Sequence, residues 1–332
     1  GTGDWSDGMN RGGEAGKGES IWLGWFTHAA LSAFLPLARA RQDTEHVEKW
    51  ARVMTELETA LEATWDGAWY LRSYLDDGSP LGSHANSEGR IDAIAQSWAV
   101  ISAAGSPERA RQAMQAVQEQ LVDLKQEIIM VLTPPFNVSE PDPGYIRGYP
   151  PGIRENGGQY THAALWTVMA TALLGEGDAA HEMFSTLNPI HHSRDREAAD
   201  RYKVEPYAVV ADVYSSSPHV GRGGWSWYTG SAGWMQRIGV ETLLGIQIEK
   251  NQLLMNPRIP AGWPAYEVRL RWKTSEYHIR IENPDHVCQG DLFMRVDDAL
   301  VALTRPIEMQ DDGHTHHVNL VLKRSTPLAL AD

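Results

Sequence analysis

A mainly α fold, built from repeated helical hairpins and closed by a small antiparallel β domain, is what this sequence predicts. Three observations carry the prediction. Paired helical patterns recur over residues 20–246, a tryptophan returns in the first helix of each pair, and strict apolar–polar alternation takes over after Ile246. The division this implies is 1–248 for the helical part and 249–332 for the β domain.

Lys17-Gly18-Glu19-Ser20 supplies a glycine stop and a serine cap ahead of an apolar helix that runs to about Ala40, with Ile21, Trp22, Trp25, Ala29 and Ser32 at helical spacing. A second helix, from Thr44 to Trp65, gathers Val47, Trp50, Val53, Met54, Leu57 and Leu61 on one face. Asp66-Gly67 ends it, and Trp69 to Leu75 reads as a short strand. The pattern then repeats. Asp92 to Ala104 is rich in small and apolar residues, and Pro107 opens an amphipathic helix to about Leu124. Gln159–Leu174 and Asp178–Leu187 form a third pair, and Gly230–Ile246 a lone fourth helix.

Trp25, Trp98, Trp166 and Trp234 lie in the first members of these pairs, about 70 residues apart, as repeated hairpins would place them. The first members are rich in Ala, Gly, Ser and Trp; the second carry more charge. An inner ring buried on all sides and an outer ring facing water would show this contrast, which reads as part of an (α/α) toroid. Long loops precede the inner helices at 1–19, 76–91, 133–158 and 188–229, and loops of that length in a compact domain are usually functional. After Ile246, Tyr266–Trp272 and His278–Glu282 alternate, with Phe293–Val296 and Val318–Leu322 alike, giving the antiparallel β expectation.

Composition narrows the function. Lys and Arg number 29 against 43 Asp and Glu, a formal charge of −14 without a basic run, which argues against nucleic acid or an anionic membrane as partner. Cys288 is the only cysteine, so no disulfide closes within the chain and a cysteine zinc site is not expected. No apolar run is read as reaching a membrane span. The adjacent pairs His191-His192 and His316-His317 lack a metal-ligand pattern, and no metal is expected. P-loop, dinucleotide and serine-elbow motifs are absent. Tryptophan, 13 against 5 Phe, exceeds what a core needs and suits a ligand with apolar faces and a polar rim, such as a sugar.

Three stretches hold the right chemistry. Asp4-Trp5-Ser6-Asp7 offers two carboxylates around an indole, although its composition alone is that of a surface turn. Tyr149 to Gly158, with Arg154 and Glu155, leads into His162, which is either a satisfied core histidine or a ligand. Gly221 to Gly230 opens the last helix, where Thr229 and Gly230 form either an ordinary N-cap or an anion site.

Gly3-Asp4-Trp5-Ser6-Asp7-Gly8-Met9-Asn10, Gly16-Lys17-Gly18-Glu19-Ser20, Arg154-Glu155-Asn156-Gly157-Gly158 and Trp227-Tyr228-Thr229-Gly230-Ser231-Ala232-Gly233-Trp234 together resemble glycoside hydrolase family 94. That family contains inverting cellobiose and chitobiose phosphorylases and the phosphorylase-like region of cyclic β-1,2-glucan synthases; Asp4 to Phe26 resembles the synthase group most. The resemblance implies an (α/α)6 barrel followed by a C-terminal β domain, so this chain would hold a partial (α/α)6 toroid, a fragment of a longer protein. It implies that Asp7 is the general acid, that Trp5 walls the donor-sugar site with Asp4 beside it, and that Glu155 holds the donor sugar. Tyr149 and Arg154 would contact the acceptor sugar; His162, Thr229 and Gly230 would bind phosphate. Ser6 stands where the family usually has Asn.

The same resemblance implies a β-glucan or gluco-oligosaccharide and inorganic phosphate as substrates, no cofactor, and the homodimers common in the family. A cytoplasmic location follows, with a synthase-type parent associated with the inner membrane. Phosphate is already an anionic nucleophile, so phosphorolysis needs one acid where an inverting hydrolase needs an acid and a base. Asp7 would have to be protonated, which burial beside Trp5 would favour. Two other readings stand: an inverting hydrolase on the same toroid with Glu155 as base, and a carbohydrate-binding remnant without turnover.

Overall fold

The computed structural model describes residues 4–138, 140–301 and 306–325. The chain is mainly helical with a β region toward its C-terminus, and it divides into two compact units: Gly1–Ala170 with Met183–Met235, and Thr171–Glu182 with Gln236–Asp332. Among the described residues eight α-helices form: α1 (Ile21–Ala40), α2 (Thr44–Glu62), α3 (Ala93–Ile101), α4 (Pro107–Leu121), α5 (Thr161–Leu173), α6 (Gly177–Thr186), α7 (Arg196–Tyr202) and α8 (Thr229–Arg237).

Local chemistry sets the starts of the first four. The Ser20 hydroxyl accepts from Leu23 N at 3.2 Å, Asp43 from His46 N at 3.3 Å and Asp92 from Ile94 N at 2.8 Å, while Pro107 occupies the first turn of α4. In the first unit α1 packs on α2 and α3, and α3 on α4. Ala93 to Ala99 of α3 are all buried, whereas α2 buries only Leu61. The contrast is not general: α1 buries six of its 20 residues and leaves Leu23, Phe26, Phe34 and Leu37 exposed, while α4, a second helix, buries six of its 15.

Four details depart from the sequence reading. Trp25 is fully buried but faces Tyr70, 5.2 Å away; it is Trp22 that meets Trp98 at 6.2 Å and Trp166 at 6.3 Å. Both residues lie near one helical face, and only packing chooses between them. Within the loop 188–229, α7 forms because Asp195 caps it, accepting from Ala198 N at 2.8 Å, and the left-handed Lys203 stops it. Its seven residues are too few to show a period. The last helix widens into a π-helical stretch, Ile238–Leu243, instead of continuing as α. Finally, α1 is long and apolar enough to cross a membrane by length and composition, with a mean hydropathy of 1.3, which corrects the reading that no run reaches that length. A core helix meets the same test, and α1 buries Trp22, Trp25 and His28.

The second unit contains β1 (Ile246–Glu249), β2 (Gln252–Met255), β3 (Ala265–Trp272), β4 (Ser275–Glu282), β5 (Asp291–Val296), β6 (Ala299–Val301), β7 (Ile307–Glu308) and β8 (Thr315–Lys323). One sheet has the order β1-β2-β7, the other β3-β4-β8-β5-β6. Tyr277, Ile279, Ile281, Met294, Val318 and Leu320 point into a common core, and the residues between them on β4 and β8 face outward. Neighbouring strands are antiparallel except β4 and β8, which run parallel from Glu276↔Thr315 to Glu282↔Val321. The purely antiparallel expectation is corrected here: β5, β6 and β7 intervene in sequence and supply the long connection that parallel pairing needs.

His316 sits on the inner side of β8, stacked on Tyr277 at 4.8 Å. Its Nδ1 lies 2.7 Å from Asp297 and its Nε2 3.2 Å from Asp312. Both nitrogens face carboxylates, and only the imidazolium can donate to both. The hydrogen bond to Asp297 raises its pKa against the opposing effect of burial.

Candidate active site

The loop at Asp4–Asn10 is anchored by a buried arginine. Arg72, 1% exposed, precedes the short strand Ser73–Tyr74, which pairs with Glu19–Ser20 on one side and Pro80–Leu81 on the other. Its Nη1 donates to Asp4 Oδ2 at 2.8 Å, its Nη2 to Oδ1 at 2.5 Å, and its Nε to Asp92 at 3.2 Å. Asp4 also accepts from the Ser20 hydroxyl and, at 2.8 Å, from Ser6 N. Burial would raise the Asp4 pKa, but the Arg72 charge and these donors outweigh it and hold the carboxyl below its ordinary value. Burial pushes Asp92 up, with Arg72 opposing. Sequence reading placed Asp4 among the substrate-binding residues with its role open between positioning and loop structure; its oxygens are engaged by Arg72, Ser20 and Ser6, as those of a loop anchor are. Gly3, part of the same motif, lies outside the described residues.

Asp7 opens a 3₁₀ turn, Asp7–Met9, and is exposed where the sequence reading expected it buried beside Trp5. The turn rests on a second one, Tyr145–Gly148. Gly8 makes this possible, because a Cβ there would lie 3.0 Å from Ile146 Cβ. Asn10 Oδ1 accepts from Tyr145 N at 3.1 Å. The Tyr145 phenol, pushed up to about 12 by desolvation and then by its hydrogen bond to Asp7, stays protonated and donates to the Asp7 side chain. Tyr145 was not singled out in the sequence; its signal is an aromatic four residues before Tyr149 in the same loop.

The segment Tyr149–Gly158 is fixed by Asn156, which is fully buried. Its side chain accepts from Phe136 N at 2.7 Å and donates to Phe136 O and Tyr149 O, each at 2.8 Å. Arg154 adopts a left-handed conformation (φ 53°), and its N–H donates to Asp212 Oδ2 at 2.8 Å. Its guanidinium lies 4.8 Å from the Tyr149 ring centroid and hydrogen-bonds Tyr160. Glu155 is 9% exposed; burial raises its pKa, Arg154 opposes with its Nε 3.3 Å from Oε2, and the negative charges of Asp7 and Asp212 add to the rise. Asp212 is the second residue that sequence reading missed. It is a buried carboxylate within a segment read as loop, on a two-residue strand paired with Gln159–Tyr160.

Trp5 lies against Tyr160 at 5.2 Å, Trp166 at 5.4 Å and His162 at 5.5 Å. His162 also packs on Trp166 at 4.4 Å and Trp234 at 5.8 Å. Its Nε2 is buried without a hydrogen-bond partner, and burial alone lowers its pKa to about 4, so it is neutral near pH 7. Thr229 and Gly230 open α8 in an exposed position, and no atom lies within 4 Å of where a Gly230 Cβ would sit. Tyr228, just before them, shares a hydrogen bond with Tyr160 at 3.2 Å. The three stretches thus converge: Asp7, Trp5, Tyr149, Arg154, Glu155 and His162 through direct contacts or charge, and Thr229–Gly230 through the Tyr228–Tyr160 link.

The family model for the glycosyl hydrolase 94 superfamily catalytic domain matches residues 1–245. Cyclic beta-(1,2)-glucan synthase NdvB of Rhizobium meliloti (strain 1021) is 51% identical over 280 residues, 84% of this chain and 10% of that protein. N,N'-diacetylchitobiose phosphorylase of Vibrio furnissii is 32% identical over 323 residues, 96% of this chain and 39% of that protein. The chain therefore spans a tenth of one relative's length and about two fifths of the other's. A solved structure described as a sialidase superposes with a TM-score of 0.52 at 13% identity, over 80% of this chain and 24% of that one, a likeness of fold.

Proposed function

The chain belongs to the glycosyl hydrolase 94 superfamily, and from that premise we propose that its helical part carries the acid and phosphate-binding half of a glycoside phosphorylase site. The reaction is phosphorolysis of β-linked glucosides or glucans with inversion, giving α-glucose 1-phosphate, or its reverse. The observation that carries this reading is the convergence of Asp7, Trp5, Glu155 and His162, drawn from separate stretches, on one cluster.

Asp7 protonates the glycosidic oxygen as the bond to the anomeric carbon breaks. Its exposure leaves it open to substrate, and Tyr145 orients the carboxyl. Phosphate attacks the opposite face of the sugar. The unpartnered Nε2 of His162 and the N–H groups at the start of α8 suit an oxyanion. Trp5 offers an apolar wall, and Glu155 accepts from sugar hydroxyls. Inorganic phosphate is the only co-substrate this mechanism needs. The helical hairpins are read as part of an (α/α)6 toroid.

A hydrolase remains the rival, favoured by one observation: Asp7 and Glu155 are close enough for the charge of one to raise the pKa of the other, as a pair of carboxylates would be. Sugar release from β-linked gluco-oligosaccharides, measured with and without phosphate, separates the two. Dependence on phosphate, with a fall of about 10²–10⁴-fold in Asp7→Asn, is the expected result. Equal release without phosphate supports the hydrolase, and equal rates in Asp7→Asn reject Asp7 as the acid.

A further inference from the structure

The loop before α8 carries a feature that the reaction itself does not use. Tyr207, Trp225 and Trp227 are 73%, 74% and 66% exposed, an unusual cost for large aromatics in one stretch. Tyr207 and Trp227 form an angled corner, ring centroids 5.9 Å apart and planes at 65°. The corner is held in place. Trp227 adopts φ 60°, a left-handed conformation that a bulky residue keeps only when its surroundings impose it. Backbone bonds flank it on both sides, Ala211 N to Trp225 O at 2.6 Å and Tyr228 N to Val209 O at 3.1 Å, and Glu205 accepts from Trp227 Nε1 at 3.3 Å and from the Ser226 hydroxyl.

The corner is linked by hydrogen bonds to Arg154, named above for the acceptor sugar. Trp225 O accepts from Ala211 N at 2.6 Å, next to Asp212, which holds the Arg154 backbone. Tyr228, the residue after Trp227, is hydrogen-bonded to Tyr160, which Arg154 also reaches. A pyranose has apolar C–H faces and a rim of hydroxyls. Aromatic planes take the faces, and the Glu205 carboxylate beside Trp227 accepts from the rim.

We propose that Tyr207, Trp227 and Glu205 form a remote sugar subsite that binds the acceptor end of an oligosaccharide and so selects longer β-linked gluco-oligosaccharides over disaccharides. The proposal rests on the phosphorylase reading for its substrate class, but it is a statement about binding and is tested without turnover.

Calorimetric titration of the chain with glucose, a β-linked glucose disaccharide and longer β-linked gluco-oligosaccharides is the experiment. Affinity rises with chain length in the parent sequence. Trp227→Ala lowers affinity for the longer chains by about tenfold and leaves the disaccharide unchanged, since a stacking contact of ordinary strength is worth about that factor. Trp227→Phe keeps most of the preference, and Glu205→Gln gives an intermediate loss. Affinity independent of length, absence of binding to the longer chains, or equal losses for all ligands in Trp227→Ala would each overturn the subsite. A length preference that survives while phosphate-dependent release fails leaves the subsite standing and removes the phosphorylase reading; the opposite outcome does the reverse.

Discussion

Asp4 and Asp7 occupy one loop and inhabit opposite surroundings. Asp4 is buried, and its oxygens are claimed by Arg72, Ser20 and Ser6. Asp7 is exposed and has Tyr145 as its donor. The same residue type is thus used once to hold the backbone still and once to meet a ligand. What separates the roles is the number of protein donors each carboxylate has already accepted. A carboxylate saturated by buried donors cannot exchange them cheaply; one that faces solvent can.

Three perturbations probe that contrast. The largest effect is expected at the anchored end. Arg72→Met leaves Asp4 and Asp92 buried without their cation and should cost about 3–5 kcal/mol in urea unfolding. A loss below about 1 kcal/mol would mean that the loop does not depend on this pair. Asp7→Asn should leave the urea midpoint unchanged, so that its loss of turnover is separable from folding. At the open end, Tyr145→Phe should lower kcat/KM by roughly threefold to tenfold, the worth of one hydrogen bond to a charged group discounted for exposure, without shifting the unfolding midpoint.

The smallest effect comes from pH, and its sign differs between regions. The folded-state pKa of Asp4 lies below its ordinary 3.8, so its contribution is complete above that value and is lost as pH falls through the folded pKa. For His316 the shift is upward from 6.5, so its contribution is complete below 6.5 and lost as pH rises through the folded pKa. Thermal melts across this range should show the second unit weakening on the alkaline side, and His316→Gln should flatten that limb. A limb unchanged in His316→Gln would reject the Asp297–His316–Asp312 clamp as its source.

The hairpin pattern, the caps at Ser20 and Pro107 and the alternation in β4 and β8 were legible because each is a local signal. Which of the buried Trp22 and Trp25 joins Trp98 and Trp166 was not, since one helical face admits both and the choice is made by Trp98, Trp166 and Tyr70 from far along the chain. Arg72, Tyr145 and Asp212 were missed for the same reason. Each acquires its role from a partner about 60 or more residues away, or from a strand pairing only two residues long, and neither leaves a periodic trace. The carboxylate–indole motif was readable from sequence; the division of labour within it needed the geometry.

The aromatic chain Trp22–Trp98–Trp166–Trp234, with Trp5 on its flank, has an optical consequence. Indoles at 5.2 to 6.3 Å exchange excitation faster than they emit and couple their transition dipoles. The folded first unit should therefore carry an intense, couplet-shaped near-ultraviolet dichroism that isolated tryptophans lack. Because Trp5 and His162 touch that array, an oxyanion settling on the imidazole would perturb the band, turning the array into a built-in reporter of site occupancy.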